Sequence, residues 1–170
     1  MLGPRLGRFA PDGSPRLIPG HNLSLVTLGA FILWVGWFGF NAGSTLKVDV
    51  NLGLIALNTH LAAAAGAVGA VLALRSTSSP VLLTTTVNGA LGGLVGITAG
   101  CASMAPGFAI LTGLIAGFVV VYGMALMDAL RLDDVVGAVP VHGMAGVWGT
   151  LAAGLFFSGD LFNPDRVMIQ

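Results

Sequence analysis

Residues 23–45 read LSLVTLGAFILWVGWFGFNAGST and contain no charged side chain. A helix that crosses the roughly 30 Å hydrocarbon core of a bilayer needs about 20 predominantly apolar residues. A membrane-spanning strand would be far shorter, about 9–11 residues, with strict alternation of apolar and polar positions. The length and uniform apolarity of this stretch therefore predict a transmembrane helix.

Four further apolar stretches of similar length follow along the chain. The whole sequence is 55% hydrophobic and 8% charged, whereas a soluble domain carries about 25% charged residues. These features predict an all-α fold, a polytopic membrane helix bundle of about five transmembrane helices, and exclude an ordinary soluble globule. The five predicted spans are approximately Leu23 to Thr45, Val50 to Leu74, Val81 to Cys101, Gly107 to Leu130 and Val135 to Phe157.

The basic residues predict the orientation of the bundle, because cytoplasmic loops carry an excess of Lys and Arg. With five spans, Lys47 and Arg166 lie on one side of the membrane, and a larger group of basic residues lies on the other. That larger group consists of Arg5, Arg8, Arg16, Arg75 and Arg131. We therefore predict a cytoplasmic loop segment at 1–22, a five-helix transmembrane domain at 23–158 and an extracytoplasmic tail at 159–170. The predicted location is the plasma or inner membrane of the cell.

Several function classes are disfavoured by composition and spacing. A formal net charge of zero gives no reason to expect a nucleic acid partner. Cys101 is the single cysteine, so the sequence predicts neither a disulfide framework nor a cysteine metal site. The three histidines lack a metal-ligand spacing with acidic neighbours, and no serine lies in a nucleophile pattern with a nearby base. We expect no enzyme activity, no metal and no cofactor.

Histidines within the predicted spans are the strongest candidates for function, because ionisable residues in a membrane are costly and often mark solute pathways. His142 lies in VPVHGM at residues 139–144. A neutral imidazole donates from one nitrogen and accepts at the other, which suits a proton relay or a small hydrogen-bonding solute. The alternative is a structural histidine bonded to a backbone carbonyl. His60, beside Asn58 and Thr59, fits a hydrogen bond between helices at least as well as a role in transport.

Three residues of the first span share one helical face. Trp37, Phe40 and Ser44 are spaced i, i+3 and i+7, and aromatic rings attract small cations by about 0.5–2 kcal/mol each. The alternative is a belt of interfacial aromatic residues with no ligand. Near the fifth span, Asp133 and Asp134 precede the predicted helix, where anions complement a helix N-terminus.

Several motifs, in order along the chain, resemble the ammonium transporter family. Residues 33–44, LWVGWFGFNAGS, resemble the signature of its sixth helix, and residues 58–59 with the alanines that follow resemble its seventh. Residues 88–100, NGALGGLVGITAG, resemble its eighth helix, and residues 133–146, DDVVGAVPVHGMAG, resemble the approach to its tenth. Residues 2–8, LGPRLGR, resemble the loop after its fifth helix. The motifs are closer to microbial and plant ammonium transporters than to the Rhesus branch.

This resemblance implies two inverted five-helix repeats plus a final helix, assembled as a trimer with one pore per subunit. It implies that Phe40 is an aromatic ring of the outer gate and Ser44 the hydroxyl of the site that recruits ammonium or methylammonium. It also implies that His142 is the second of two pore histidines. The other polar or aromatic candidates, expected to be structural, are Trp37, Asn41, His60, Asp133 and Asp134.

The matched region corresponds to helices six to ten of the family, which is one inverted repeat. Inverted-repeat transporters place the substrate path between their repeats, so one repeat supplies one wall of a pore. The predicted function is therefore ammonium or ammonia transport, as a fragment or a half that needs the first five helices. Two alternatives remain: an ammonium-sensing membrane module, which would need a cytoplasmic output domain, and an inactive remnant of a truncated transporter gene.

Overall fold

Five helical elements make up the protein in the computed structural model, which describes residues 3–46, 48, 52–77 and 80–157. The fifth element begins as a π-helix and continues as an α-helix, and the described residues contain no strand. The all-helical membrane bundle predicted from the sequence is therefore confirmed. The elements are α1 at Leu23–Gly43, α2 at Leu52–Ser76, α3 at Leu83–Thr98, α4 at Pro106–Ala129, the π-helix at Val139–Met144 and α5 at Ala145–Leu155.

Small residues let α2 pack closely against both α3 and α4 at the centre of the bundle. Ala62 of α2 is completely buried, and its carbonyl oxygen occupies the space that a Cβ would need at Gly93 of α3 or at Gly113 of α4. Gly117 of α4 meets the carbonyl oxygen of Gly66 in the same way. The recurring glycines thus bring helix backbones into direct contact, as is typical of membrane helices.

A buried amide fastens α2 to the connection between α3 and α4. Asn58 is 0% exposed, and its Nδ2 donates to the carbonyl oxygens of Cys101 at 2.9 Å and Met104 at 2.8 Å. Both carbonyls follow the end of α3, where no helical N–H is left to bind them. The amide therefore satisfies backbone acceptors that would otherwise be buried without a partner.

Three helices of the described residues, α1, α2 and α4, are long and apolar enough to cross a membrane by length and composition. Helix α3 has only 16 residues and ends at Thr98 rather than continuing to Cys101. The fifth element begins at Val139 instead of Val135. The sequence prediction was too long at both places, because apolar residues continue through loops whose backbone leaves the helix.

The N-terminal segment, residues 3–22, lies beside the C-terminal end of α4. Its chain folds back on itself, since the Arg16 N–H donates to the Arg8 carbonyl at 2.7 Å and the Ala10 N–H to the Ser14 carbonyl at 2.9 Å. The Arg8 guanidinium forms an ion pair with Asp128 of α4. The predicted tail at 159–170 lies outside the described residues.

Candidate functional site

A groove of about 520 Å³ lies between α1, α3 and the π-helix. Its walls include Leu33 of α1, Leu91 of α3 and Val141 of the π-helix, and its polar side chains are those of Asn88 and His142. Most of its surface is thus apolar, with an imidazole at one edge. Such a mainly apolar cleft with a few polar groups is typical of small-molecule sites.

His142 lines this groove, and the two residues before it in the π-helix are buried. Val141 is 2% exposed and Pro140 is fully buried, whereas His142 is exposed. Within the described part of the chain no hydrogen bond to the imidazole of His142 occurs. The backbone carbonyl bond of the structural alternative is therefore not formed there, and both ring nitrogens are available to a solute or to another chain segment.

The helix that carries His142 begins with a wide turn. Pro140 lies in its first turn, where a residue without an N–H is tolerated, and the Ala145 N–H bonds to the carbonyl of Pro140, five residues earlier. Such π-helical turns are rare and are frequent at functional sites. The wider turn changes the direction in which His142 projects relative to a regular α-helix.

Two side chains hold the N-terminal end of the π-helix. Asp134 accepts hydrogen bonds from the N–H groups of Ala138 at 2.9 Å and Val139 at 2.8 Å. From α3, Asn88 donates to the carbonyl of Val136 at 2.9 Å. Gly137 between them has φ +73°, which favours glycine, and a Cβ there would lie 2.8 Å from Nδ2 of Asn88. Asn88 was not among the predicted site residues, although a polar residue in an apolar stretch is a signal that could have identified it.

Asp133 points away from this helix and binds the N-terminal segment. Its carboxylate accepts from Nε and Nη2 of Arg5, each at 2.8 Å, and from the Arg5 backbone N–H at 2.8 Å. Arg8 Nε lies 3.5 Å away. Of the two acidic residues predicted to complement the helix N-terminus, only Asp134 does so.

The Arg5 hydrogen bonds lower the pKa of Asp133 from its ordinary value of 3.8 to about 2. A carboxyl whose pKa is lower in the folded chain stabilises that chain above its ordinary pKa. The stabilisation is lost as the pH falls through about 2. The ion pair is therefore fully formed at neutral pH.

The second candidate region lies at the C-terminal end of α1. The rings of Trp37 and Phe40 meet edge to face with centroids 5.8 Å apart, and Phe40 is 58% exposed. Ser44 Oγ donates to the Phe40 carbonyl at 2.6 Å, which leaves its oxygen lone pairs free to accept. Trp37 is fixed in turn, because its Nε1 donates to Thr98 Oγ1 of α3 at 3.0 Å.

One face of α1 joins the two regions. Leu33, which lines the groove, is followed by Trp37, Phe40 and Ser44 at i+4, i+7 and i+11, positions that lie on one side of a helix. With a rise of about 1.5 Å per residue, the distance from the groove to Ser44 is about 15–20 Å. The structure therefore aligns the aromatic end and the imidazole along one wall.

Asn41 and His60 lie away from that wall. Asn41 is 4% exposed, and its Nδ2 donates to Thr59 Oγ1 of α2 at 3.0 Å. The His60 ring contacts the rings of Trp34 and Phe38, with centroids 5.4 Å and 6.4 Å away. His60 thus joins α2 to α1 by ring contacts rather than by a hydrogen bond within the described residues. The structural roles expected for Asn41 and His60 stay predictions.

No cluster of three or more His, Cys, Asp or Glu that could hold a metal ion occurs in the part of the chain that the structure describes. The groups along the wall are an imidazole, an accepting hydroxyl and aromatic rings. This set can bind and pass a small cation or its conjugate base.

Comparison with known proteins gives consistent matches. Residues 1–168 match the model of the Ammonium Transporter Family. The chain is 52% identical over 160 residues to the ammonium transporter Amt2 of Archaeoglobus fulgidus, an alignment that covers 94% of this chain and 34% of that protein. The chain spans roughly a third of the length of the curated relatives it matches.

Solved structures agree with the sequence matches. The chain is similar to the Sensor Amt Protein with a TM-score of 0.88 and 43% identity, over 91% of this chain and 38% of that one. It is also similar to Mep2 of Candida albicans with a TM-score of 0.80 and 28% identity, over 95% of this chain and 35% of that one.

Proposed function

This chain belongs to the ammonium transporter family, and on that premise we propose that it forms one wall of a path that carries ammonium or ammonia across the cell membrane. The observation that carries this proposal is His142, an imidazole without a hydrogen bond in the described residues, at the edge of an apolar groove. An ammonium ion that enters such a groove loses hydration, and an accepting ring nitrogen compensates part of that cost. The same nitrogen can take a proton from the ion.

The proposed path begins at the C-terminal end of α1. Phe40 offers a ring face to a cation, and Ser44 offers a hydroxyl oxygen whose own proton is already bonded to the Phe40 carbonyl. The ion is recruited there and then moves along the α1 face to His142. Under this proposal Trp37 supports the recruiting site, because its bond to Thr98 holds the ring against Phe40.

The exposed surface of α1 supports the proposal that a further segment completes the pore. Only Asn41 of α1 is buried among the described residues, and the helix is long and apolar enough to cross a membrane. A helix that is apolar all round belongs in lipid or against other helices. We therefore expect the first five helices of a complete transporter to cover α1 and the groove.

The proposed oligomer and membrane location follow from the family. We propose a homotrimer in the plasma or inner membrane, with the 1–22 segment in the cytoplasm and the 159–170 tail outside, as the basic residues suggest. The sensing alternative would require an output domain in the same protein. Relatives named as ammonium transporters favour transport over sensing.

Uptake of labelled methylammonium into liposomes tests the proposal. We expect uptake by the complete transporter and none by this 170-residue chain alone, because one wall does not enclose a pore. Empty liposomes and liposomes with an unrelated membrane protein are the controls. Absence of uptake by a correctly inserted complete transporter would refute the proposed function, and uptake by this chain alone would refute the single-wall arrangement.

Ser44→Ala should weaken recruitment more than maximal flux. Loss of one accepting hydroxyl removes a hydrogen bond to a charged solute, worth about 1.5–3 kcal/mol, so the concentration for half-maximal uptake should rise by about tenfold or more. Thr45→Ala is the matched control, since its neighbouring hydroxyl bonds to the Ala42 carbonyl. If the concentration dependence of uptake were unchanged in Ser44→Ala, Ser44 would have no role in recruitment, and its hydroxyl would serve only the hydrogen bond at the end of α1.

A further inference from the structure

The N-terminal segment is fastened to the loop that leads into the π-helix. Arg5 binds both carboxylate oxygens of Asp133, and Arg8 pairs with Asp128 at the end of α4. The Arg131 guanidinium lies where a Cβ on Gly13 would be. Contacts along the segment therefore hold it against the stretch between α4 and the π-helix.

The two adjacent acidic residues connect this attachment to the helix of His142. Asp133 faces Arg5, whereas Asp134 accepts the N–H groups of Ala138 and Val139. One peptide unit thus separates the ion pair from the cap of the π-helix. A displacement of Asp133 is readily transmitted to Asp134, because consecutive Cα atoms are 3.8 Å apart and the peptide between them is planar.

The connection between α4 and the π-helix has no regular structure of its own to resist such a displacement. Arg131 and Gly137, near its two ends, both have positive φ, at 55° and 73°. Its N–H groups at Arg131 and Leu132 bond back to α4, and Asp134 bonds to the start of the π-helix. Its described hydrogen bonds to elements other than these two flanking helices are those of Asp133 to the N-terminal segment and of the Val136 carbonyl to Asn88. Among the latter, removal of the ion pair leaves the bond to Asn88.

We propose that Arg5 is a positioning residue for His142: by binding Asp133 it fixes the place at which Asp134 caps the π-helix, and so sets where the imidazole projects into the groove. This proposal rests on the proposed function of His142. It assigns to the N-terminal segment a role in conduction, although none of its residues lines the groove.

The geometry of the pair is suited to such a role. Two parallel bonds from a guanidinium to a carboxylate fix orientation as well as distance, and the Asp133 side chain is only 5% exposed. Arg8 approaches the same carboxylate at 3.5 Å with a single nitrogen. Arg8 can therefore balance the charge after loss of Arg5, but it cannot reproduce the two-point contact.

The test uses Arg5→Ala, Asp133→Asn and the double variant in the complete transporter, with Arg16→Ala as the matched control. Arg16 belongs to the same segment, and its side chain forms no ion pair within the described residues. Methylammonium uptake gives the maximal rate and the half-saturating concentration. Hydrogen exchange is measured in the peptides that cover 3–16 and 138–145, which contain Arg5 and His142. It reports the order of both segments without requiring transport.

We expect each single variant to lower the maximal rate by about tenfold with an unchanged half-saturating concentration. Exchange should rise in both peptides, and the double variant should lose no more than either single one, because both remove one contact. Exchange that rises only in 3–16, with a maximal rate within about twofold of wild type, would overturn the proposal. An equal effect of Arg16→Ala would overturn it too.

Failure of the proposed function gives a different pattern. If the complete wild-type transporter moved no methylammonium, the transport role of His142 would be refuted. Hydrogen exchange of the 138–145 peptide would then still test whether Arg5 holds the segment of His142. An increase there in Arg5→Ala, absent from Arg16→Ala, would show that Arg5 holds the His142 segment, and no increase would refute it.

Discussion

His142→Ala should abolish methylammonium uptake by the complete transporter, lowering the rate by at least about 100-fold. The imidazole is the polar group of the π-helix that faces the groove, and alanine there leaves Asn88 as the polar side chain that lines it. A partly dehydrated ammonium ion would then lose its imidazole partner, and a proton would have no relay, because an amide, unlike an imidazole, has no titratable nitrogen. The measurement is labelled methylammonium uptake into liposomes at matched protein density.

His60→Ala is the control for this experiment. It removes the same side chain from another apolar helix, but His60 contacts Trp34 and Phe38 rather than the groove. We expect its uptake rate to stay within about threefold of wild type, as for a site whose role is packing. Normal, selective uptake by a well-folded His142→Ala protein would show that the imidazole is not needed.

Gly113→Ala should prevent stable packing of α4 against α2. A Cβ at this position would overlap the Ala62 carbonyl oxygen and lie 2.6 Å from the Ala62 Cα. Because both atoms belong to the backbone, no side-chain rotation can relieve the overlap, and the helices must separate. Overpacking typically costs about 1–3 kcal/mol, and we expect the upper end of that range or more. The measurement is the free energy of unfolding in mixed micelles by detergent titration.

Gly53→Ala is the matched control, since no heavy atom lies within 4 Å of its Cβ position. Alanine is favoured over glycine in a helix by about 1 kcal/mol, so this variant should be neutral or slightly more stable. Equal stability of Gly113→Ala and Gly53→Ala would mean that the α2–α4 contact tolerates a wider spacing than the structure has.

Sequence alone predicted the long helices closely, because length and apolarity determine them. Helix α1 was expected from Leu23 to Thr45 and spans Leu23–Gly43, and α4 was expected from Gly107 to Leu130 and spans Pro106–Ala129. The start of the fifth element was missed. Hydropathy does not register a left-handed glycine or a π-turn, and both separate Asp134 from the regular part of that helix.

The candidate site also contains residues that the sequence predicted and one that it could not. His142, Phe40 and Ser44 were predicted from local sequence and from the family resemblance, and their transport roles stay predictions. Arg5 could not be predicted as a contact of the His142 loop, since 128 residues separate it from Asp133. Its role depends on a tertiary contact, and no local pattern around Arg5 indicates one.

The attachment of α1 has a consequence for the groove. Its interhelical hydrogen bonds in the described residues, from Trp37 and Asn41, both lie in its C-terminal half. The groove is lined by the other half, from Leu25 to Leu33. No interhelical hydrogen bond among the described residues holds that half. We therefore expect the width of the groove beside His142 to change more readily than the spacing between α1 and α3 at the Trp37–Thr98 bond.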